Sequence, residues 1–182
     1  MSTGQFVSRC TADAMTSAAA SIKNGNLVAF PTETVYGLGA DASSADAVAK
    51  IYAAKGRPAD HPLIVHISSM DGIGYWADEI SEYAIALART FWPGPMTLIC
   101  KRSGEAKDFV TGGQETVGLR VPDHVVALAL LGAAKQIGVN GIAAPSANRF
   151  GHVSPTTAQA VCEELVQYLS LDDTILDGGP SQ

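Results

Sequence analysis

Leu27-Val-Ala-Phe-Pro-Thr-Glu-Thr-Val-Tyr-Gly-Leu-Gly-Ala-Asp41 decides the reading of this chain. Leu27 to Phe30 is an apolar run closed by Pro31, the pattern of a short buried strand. The stretch from Pro31 to Asp41 reads as a strand-exit loop. It packs hydroxyls (Thr32, Thr34, Tyr36), a carboxylate (Glu33) and two glycines into a short space. Ser43 or Ser44 then opens a helix whose apolar residues are Ala47, Val48, Ile51, Tyr52 and Ala54, and Gly56 stops it. The order is strand, polar loop, helix.

The same order recurs outward in both directions. Thr11 caps a helix running to about Asn24, ended by Gly25. Strands are expected over 63–67, 96–100, 116–121, 142–144 and 174–176, and helices over 80–91 and 125–137. Ser154 with Pro155 at the first helical position predicts a last helix, ending near Leu169. Asp108 to Glu115, with Gly112-Gly113, is expected to be a mobile loop. Such alternation predicts an α/β domain with helices packed on a sheet, and ligands bound where loops leave the strands.

Length and composition bound the function. The chain has 182 residues, 47% hydrophobic and 16% charged, enough for one domain with a sizeable core. A formal charge of −6 argues against a protein whose main task is holding duplex nucleic acid. Cys10, Cys100 and Cys162 are odd in number and widely spaced, so free thiols in a reducing compartment are expected, with neither a disulfide framework nor a zinc site. The amino terminus lacks the apolar core of a signal peptide, and the longest apolar run, Val125 to Leu131, is too short to span a bilayer. A cytoplasmic protein is expected. The turn-rich ending Asp177-Gly-Gly-Pro-Ser-Gln182 suggests that a natural domain continues further.

Three further stretches carry candidate chemistry beside Phe30 to Asp41, whose hydroxyls and backbone amides either orient a small polar ligand or are satisfied internally. Lys55-Gly-Arg-Pro-Ala-Asp-His-Pro-Leu63 sets two cations two residues apart, just past a helix end, followed by two prolines that stiffen the chain around His61. Arg grips oxygens with a two-pronged fork, and Lys supplies a point charge, so the pair suits an anion such as a triphosphate. A solvated helix end accounts for Lys55 alone, but less well for Arg57 and the prolines. His61 and His66 are better read as hydrogen-bonding groups than as metal ligands, because no partner cluster accompanies them.

In Thr116-Val-Gly-Leu-Arg-Val-Pro122, Arg120 lies within an apolar strand, on the face opposite Leu119 and Val121. It needs an anion, either an internal carboxylate or a substrate carboxylate or phosphate, and the reading leans to the substrate. Ala143-Ala-Pro-Ser-Ala-Asn148 through Ser154 is a polar strand exit. Ser146, Asn148 and Ser154 could there hydrogen-bond a nucleotide near a helix start. Ser146 is no nucleophile of the Gly-x-Ser-x-Gly kind, and neither a Walker A sequence nor Gly-x-Gly-x-x-Gly is present. Phe91-Trp-Pro-Gly-Pro-Met-Thr-Leu98 reads as architecture, a fixed helix-to-strand corner.

Together these motifs resemble the YrdC-like family of threonylcarbamoyl-AMP synthases. The resemblance rests on Pro31-Thr-Glu-Thr-Val-Tyr-Gly-Leu38, Lys55-Gly-Arg-Pro with His61-Pro-Leu-Ile-Val-His66, Phe91-Trp-Pro-Gly-Pro-Met-Thr97, Gly118-Leu-Arg-Val-Pro122, and Pro145-Ser-Ala-Asn148 through Ser154-Pro-Thr156. It implies a twisted mixed sheet with flanking helices and a concave basic cavity. It also implies a reaction joining L-threonine, bicarbonate or CO2, and ATP with Mg²⁺, into threonylcarbamoyl-AMP and pyrophosphate. A downstream transferase complex would then modify tRNA, and direct tRNA binding by this chain is expected to be weak or absent. Longer members of the family carry a second domain.

By the same resemblance, Thr34, His66, Arg120 and the Ala144 backbone would enclose threonine. Lys55, Arg57, His61, Thr116, Ser146, Asn148 and Ser154 would serve ATP, and Lys55, Arg57 and Arg120 would neutralise charge in catalysis. No dedicated protein metal site is expected. Two alternatives are an RNA-binding module, disfavoured by the acidic balance and the lack of spaced aromatics, and a relative that handles carbamoyl adenylate, whose extra domains are absent from this sequence.

Overall fold

The computed structural model describes residues 6–181. Among them, eight strands form one sheet: β1 (Val7–Arg9), β2 (Val28–Pro31), β3 (Tyr36–Asp41), β4 (Ile64–His66), β5 (Leu98–Lys101), β6 (Thr116–Arg120), β7 (Ile142–Ala143) and β8 (Thr174–Asp177). Their order across the sheet is β1-β8-β2-β3-β7-β4-β6-β5. β8 runs parallel to β1 and β2, and β4 runs parallel to β6, while the β2–β3, β3–β7, β4–β7 and β5–β6 pairs are antiparallel. The sheet is therefore mixed, as the resemblance implied.

Seven α-helices flank it: α1 (Ala12–Lys23), α2 (Ala45–Lys55), α3 (Ile73–Trp76), α4 (Glu82–Phe91), α5 (Asp108–Thr111), α6 (Val125–Gln136) and α7 (Ala158–Leu165). None is long and apolar enough to cross a membrane among the described residues. Alternation along the strands sends side chains to two cores. Val28, Phe30, Ile142 and Leu176 pack with Met15, Ile22, Leu130 and Leu131 of α1 and α6. Ala29, Ala143 and Ile175 pack with Val48 and Ile51 of α2, Trp76 of α3, and Val161 and Leu165 of α7.

Local signals set several boundaries. Thr11 and Ser44 accept hydrogen bonds from Ala14 N and Ala47 N, capping α1 and α2. Gly56 closes α2 in the left-handed conformation, φ 60°, and Arg57 N donates back to Tyr52 O.

Four expectations need correction. The stretch taken as a loop up to Asp41 is a strand from Tyr36 onward, because β2 and β7 flank it and supply its hydrogen-bond partners. Its glycines serve packing: a Cβ on Gly39 would lie 2.7 Å from the Phe30 ring and 2.8 Å from Ile142. Ser154 and Pro155 do not start α7. Pro155 O accepts from Tyr36 N at 2.9 Å, which holds this segment against β3, and Thr157 is the cap. The segment 108–115 is not a featureless loop. It forms the α5 turn with Val110 and Thr111 buried, and Val110 O accepts from Leu63 N. Strand β1 was missed because three residues with mixed burial leave no periodic signal.

Candidate functional site

Two clusters of side chains meet at the β3–β7 junction. The first lies on the face of the sheet that carries α1 and α6. Parallel register sets Arg120, at the end of β6, beside His66, at the end of β4, and His66 also pairs with Ile142 on β7. Leu119 and Val121 belong to the opposite core, so Arg120 points away from them, as strand geometry predicts.

The side chain of Arg120 is nearly buried and finds an internal carboxylate. Its Nη2 lies 2.6 Å from Glu33 Oε1 and 3.4 Å from Thr34 Oγ1, and its Nε donates to Gly94 O at 3.2 Å. Of the two partners weighed for Arg120, an internal carboxylate and a substrate anion, the structure supplies the first. Glu33, within the four-residue turn between β2 and β3, takes that place. The Trp-Pro-Gly-Pro corner is architecture, as read, and it positions Arg120. Trp92 Nε1 donates to Met96 O at 2.7 Å, and Gly94 N donates to Val121 O at 2.8 Å.

His66 is buried with its ring edge-on to Phe30, centroids 6.3 Å apart, and its Nδ1 has no hydrogen-bond partner. Burial, reinforced by the positive charge of Arg120, pushes its pKa down to about 3, so the imidazole is neutral at pH 7. Ala144 shares this face and donates its N–H to Ile64 O. Thr34, His66 and Arg120 are therefore brought together, with Ala144 just past the end of β7, two residues on from Ile142, the cross-strand partner of His66.

The second cluster surrounds the turn after β7. Lys55 ends α2 and is 2% exposed, and its Nζ donates to the backbone oxygens of Ser146 and Asn148, both at 2.5 Å. Burial, then the neighbouring Arg57, lowers its pKa to about 8. Asn148 Nδ2 donates to Arg149 O and His152 O, while Ser154 Oγ donates to Asn148 Oδ1 at 3.3 Å. Lys55, Ser146, Asn148 and Ser154 thus form one network, and its bonds are internal. Arg57 is less committed. Its Nη2 donates to Pro62 O at 3.1 Å, and its buried Nε has no partner. The His61 ring meets Phe150 edge-on at 5.4 Å. Thr116 stands apart from this network, at the far end of β6 from Arg120, where it lines a small cavity with Pro62 and Leu63.

Ser146 ties the second cluster to β3. It bridges Gly37 on β3, and the neighbouring bonds Leu38 N to Pro145 O and Ala147 N to Tyr36 O tie the turn to that strand. Sequence reasoning gave no role to Glu33 or Arg149. The available signal for Glu33 was an arginine inside an apolar strand, which needs an anion but does not say which carboxylate would meet it. Arg149 stacks its guanidinium 4.2 Å over Tyr168 and donates to Ala54 O, contacts that no spacing announces. Ser181 Oγ is also buried without a partner, and its N–H donates to Thr156 O. Among the described residues, no group of three or more His, Cys, Asp or Glu could hold a metal ion.

A family model grouping Sua5, YciO and YrdC, described as "Telomere recombination", matches residues 20–182. The threonylcarbamoyl-AMP synthase of Pyrococcus abyssi is 48% identical over 165 residues, covering 91% of this chain and 46% of that protein. The Bacillus subtilis protein of the same name is 48% identical over 165 residues, covering 90% of this chain and 46% of its own length. The chain thus spans about half the length of these curated relatives. The crystal structure of P. abyssi Sua5 complexed with L-threonine superposes with TM-score 0.88 at 45% identity, over 97% of this chain and 50% of that one. The motifs, the mixed sheet and these matches agree, and the chain belongs to the Sua5/YciO/YrdC family.

Proposed function

We propose that this chain carries the catalytic domain of a threonylcarbamoyl-AMP synthase. The observation that carries the reading is the convergence of Thr34, His66 and Arg120 on one cluster, beside a second network in which Lys55 is anchored to Ser146 in the turn after β7. The curated relatives bear that name, and P. abyssi Sua5 was crystallised with L-threonine.

The chemistry fits the residues. The α-ammonium of threonine gives up one proton, which bicarbonate takes up as it loses water to give CO2. The free amine then adds to that carbon and releases its second proton to solvent, leaving an N-carboxylate. A carboxylate oxygen then attacks the α-phosphorus of ATP. The bond from that phosphorus to the bridging oxygen breaks, and pyrophosphate leaves with the electron pair. No side-chain nucleophile is needed. Two anions must approach, so positioning and charge neutralisation are the protein's main tasks.

Arg57, with donors still uncommitted, meets the phosphates. Lys55 shapes the 146–154 turn that receives the nucleotide, so its charge acts through that backbone. Thr116 and His61 flank the nucleotide. His66, being neutral, lines the threonine pocket without adding a second cation beside Arg120. Mg²⁺ enters with ATP as part of the substrate, carried by phosphate oxygens and water. The product passes to a separate transferase that modifies tRNA.

The test is mass spectrometry of a reaction containing the chain, ATP, Mg²⁺, L-threonine and labelled bicarbonate. A labelled threonylcarbamoyl-AMP peak that disappears when threonine is omitted is expected. If residues 1–182 give no product, the same reaction is run with a version continued past Gln182. Failure of both sinks the reading.

A further inference from the structure

Glu33 is the one charged group in the first cluster that the proposed reaction leaves without a task. Its Oε1 neutralises Arg120 at 2.6 Å, but its Oε2 is closed to solvent and has no hydrogen-bond partner among the described residues. A carboxylate oxygen in that condition is costly, and such an atom calls for a donor that the free protein does not supply. Two imidazoles stand close to the pair. His66 is held neutral by burial and by Arg120. His124 has its pKa lowered by burial, with Glu33 and Asp123 opposing, and its Nδ1 accepts from Val126 N. The cluster therefore presents one positive and one negative charge side by side. That balance suits a zwitterion and suits a simple anion poorly, because an anion taken by Arg120 would strand the Glu33 carboxylate in a poorly hydrated place.

Resting on the threonine reading, we propose that Glu33 receives the α-ammonium group of the bound amino acid. The substrate carboxylate takes over Arg120 and releases Glu33, whose side chain turns to the ammonium. One internal ion pair is exchanged for two across the interface, and no charge is left alone at either end of the exchange. Thr34 Oγ1, 3.4 Å from Arg120 Nη2, stands at the point of exchange. Glu33 lies in the turn between β2 and β3, and among the described residues its carboxylate hydrogen-bonds only to Arg120, so a single bond has to be exchanged.

Isothermal titration of the folded protein with two ligands tests the proposal: L-threonine, and 3-hydroxybutanoate, which lacks only the amine. The wild type is expected to prefer threonine by about 10- to 100-fold, the worth of one charge-assisted contact. Glu33→Gln is expected to lose threonine affinity by a similar factor while binding 3-hydroxybutanoate as well as before or better. An equal loss for both ligands means that Glu33 only holds Arg120 in place, and it overturns the assignment, as does an unchanged threonine affinity. A wild type that binds neither ligand overturns the threonine reading and this assignment with it. Should Glu33→Gln not fold, Glu33→Asp carries the test. It keeps the charge and should keep a preference for threonine, and loss of that preference with 3-hydroxybutanoate binding intact refutes the role.

Discussion

Replacing Arg120 by Met removes the charge while keeping most of the apolar stem, so it isolates the ion pair. Arg120 and Glu33 side chains are 11% and 17% exposed, and the pair is 2.6 Å apart. At an effective dielectric of about 20, the gross attraction at that separation is about 6 kcal/mol. Most of it is offset by the desolvation of both groups. What remains on breaking one side of such a pair is about 3–5 kcal/mol. The lower figure applies here, because the Glu33 side chain is 17% exposed rather than fully buried. Arg120→Met is therefore expected to cost about 3 kcal/mol, and Glu33→Gln, which leaves an acceptor in place, about 2 kcal/mol. The double variant removes both charges together and should cost about 2 kcal/mol, which makes the coupling about 3 kcal/mol. Urea denaturation at pH 7, with unchanged slopes, measures all four proteins. A coupling energy under about 0.5 kcal/mol would refute the claim that these two residues neutralise each other inside the fold.

Three further outcomes follow from the same geometry. Lys55 holds its proton less tightly folded than unfolded, about 8 against 10.5, so the penalty of its charge is fully present below pH 8 and is relieved by pH 10.5. Wild-type stability should therefore rise relative to Lys55→Met across that window, by up to about 3 kcal/mol, and parallel pH profiles from denaturant titrations would contradict this. Gly94→Ala places a Cβ 2.3 Å from the backbone oxygen of Phe91, so the corner must shift. A loss of about 2 kcal/mol or more is expected in urea, together with weaker threonine binding, since Gly94 O holds Arg120. Arg57→Ala should lower turnover about 100-fold or more with an unchanged circular dichroism spectrum; full activity would remove Arg57 from the phosphate site.

The sequence by itself determined the elements whose signals are local. Thr11 and Ser44 cap their helices, and Gly56 ends α2, because a short polar side chain or a missing Cβ satisfies a helix end without outside help. The face on which Arg120 lies was equally legible, since strand alternation needs no partner. The motif stretches also named side chains that the fold brings together, Thr34, His66 and Arg120 at or just past strand ends and Lys55 at the end of α2, while Thr116 lies apart. The tertiary structure alone decided the rest. Tyr36-Gly-Leu-Gly-Ala-Asp41 has the composition of a turn, and it is a strand only because β2 and β7 lie on either side and its glycines admit Phe30 and Ile142. Ser154-Pro155 has the form of a helix start, yet a backbone bond from Tyr36 holds it extended, and Thr157 caps instead. Arg120 could have met any anion. That it meets Glu33, 87 positions away, depends on a register between strands that sequence spacing does not encode. Lys55 shows the same division: its place at a helix end is local, but its burial against two carbonyls more than 90 positions away is a product of packing.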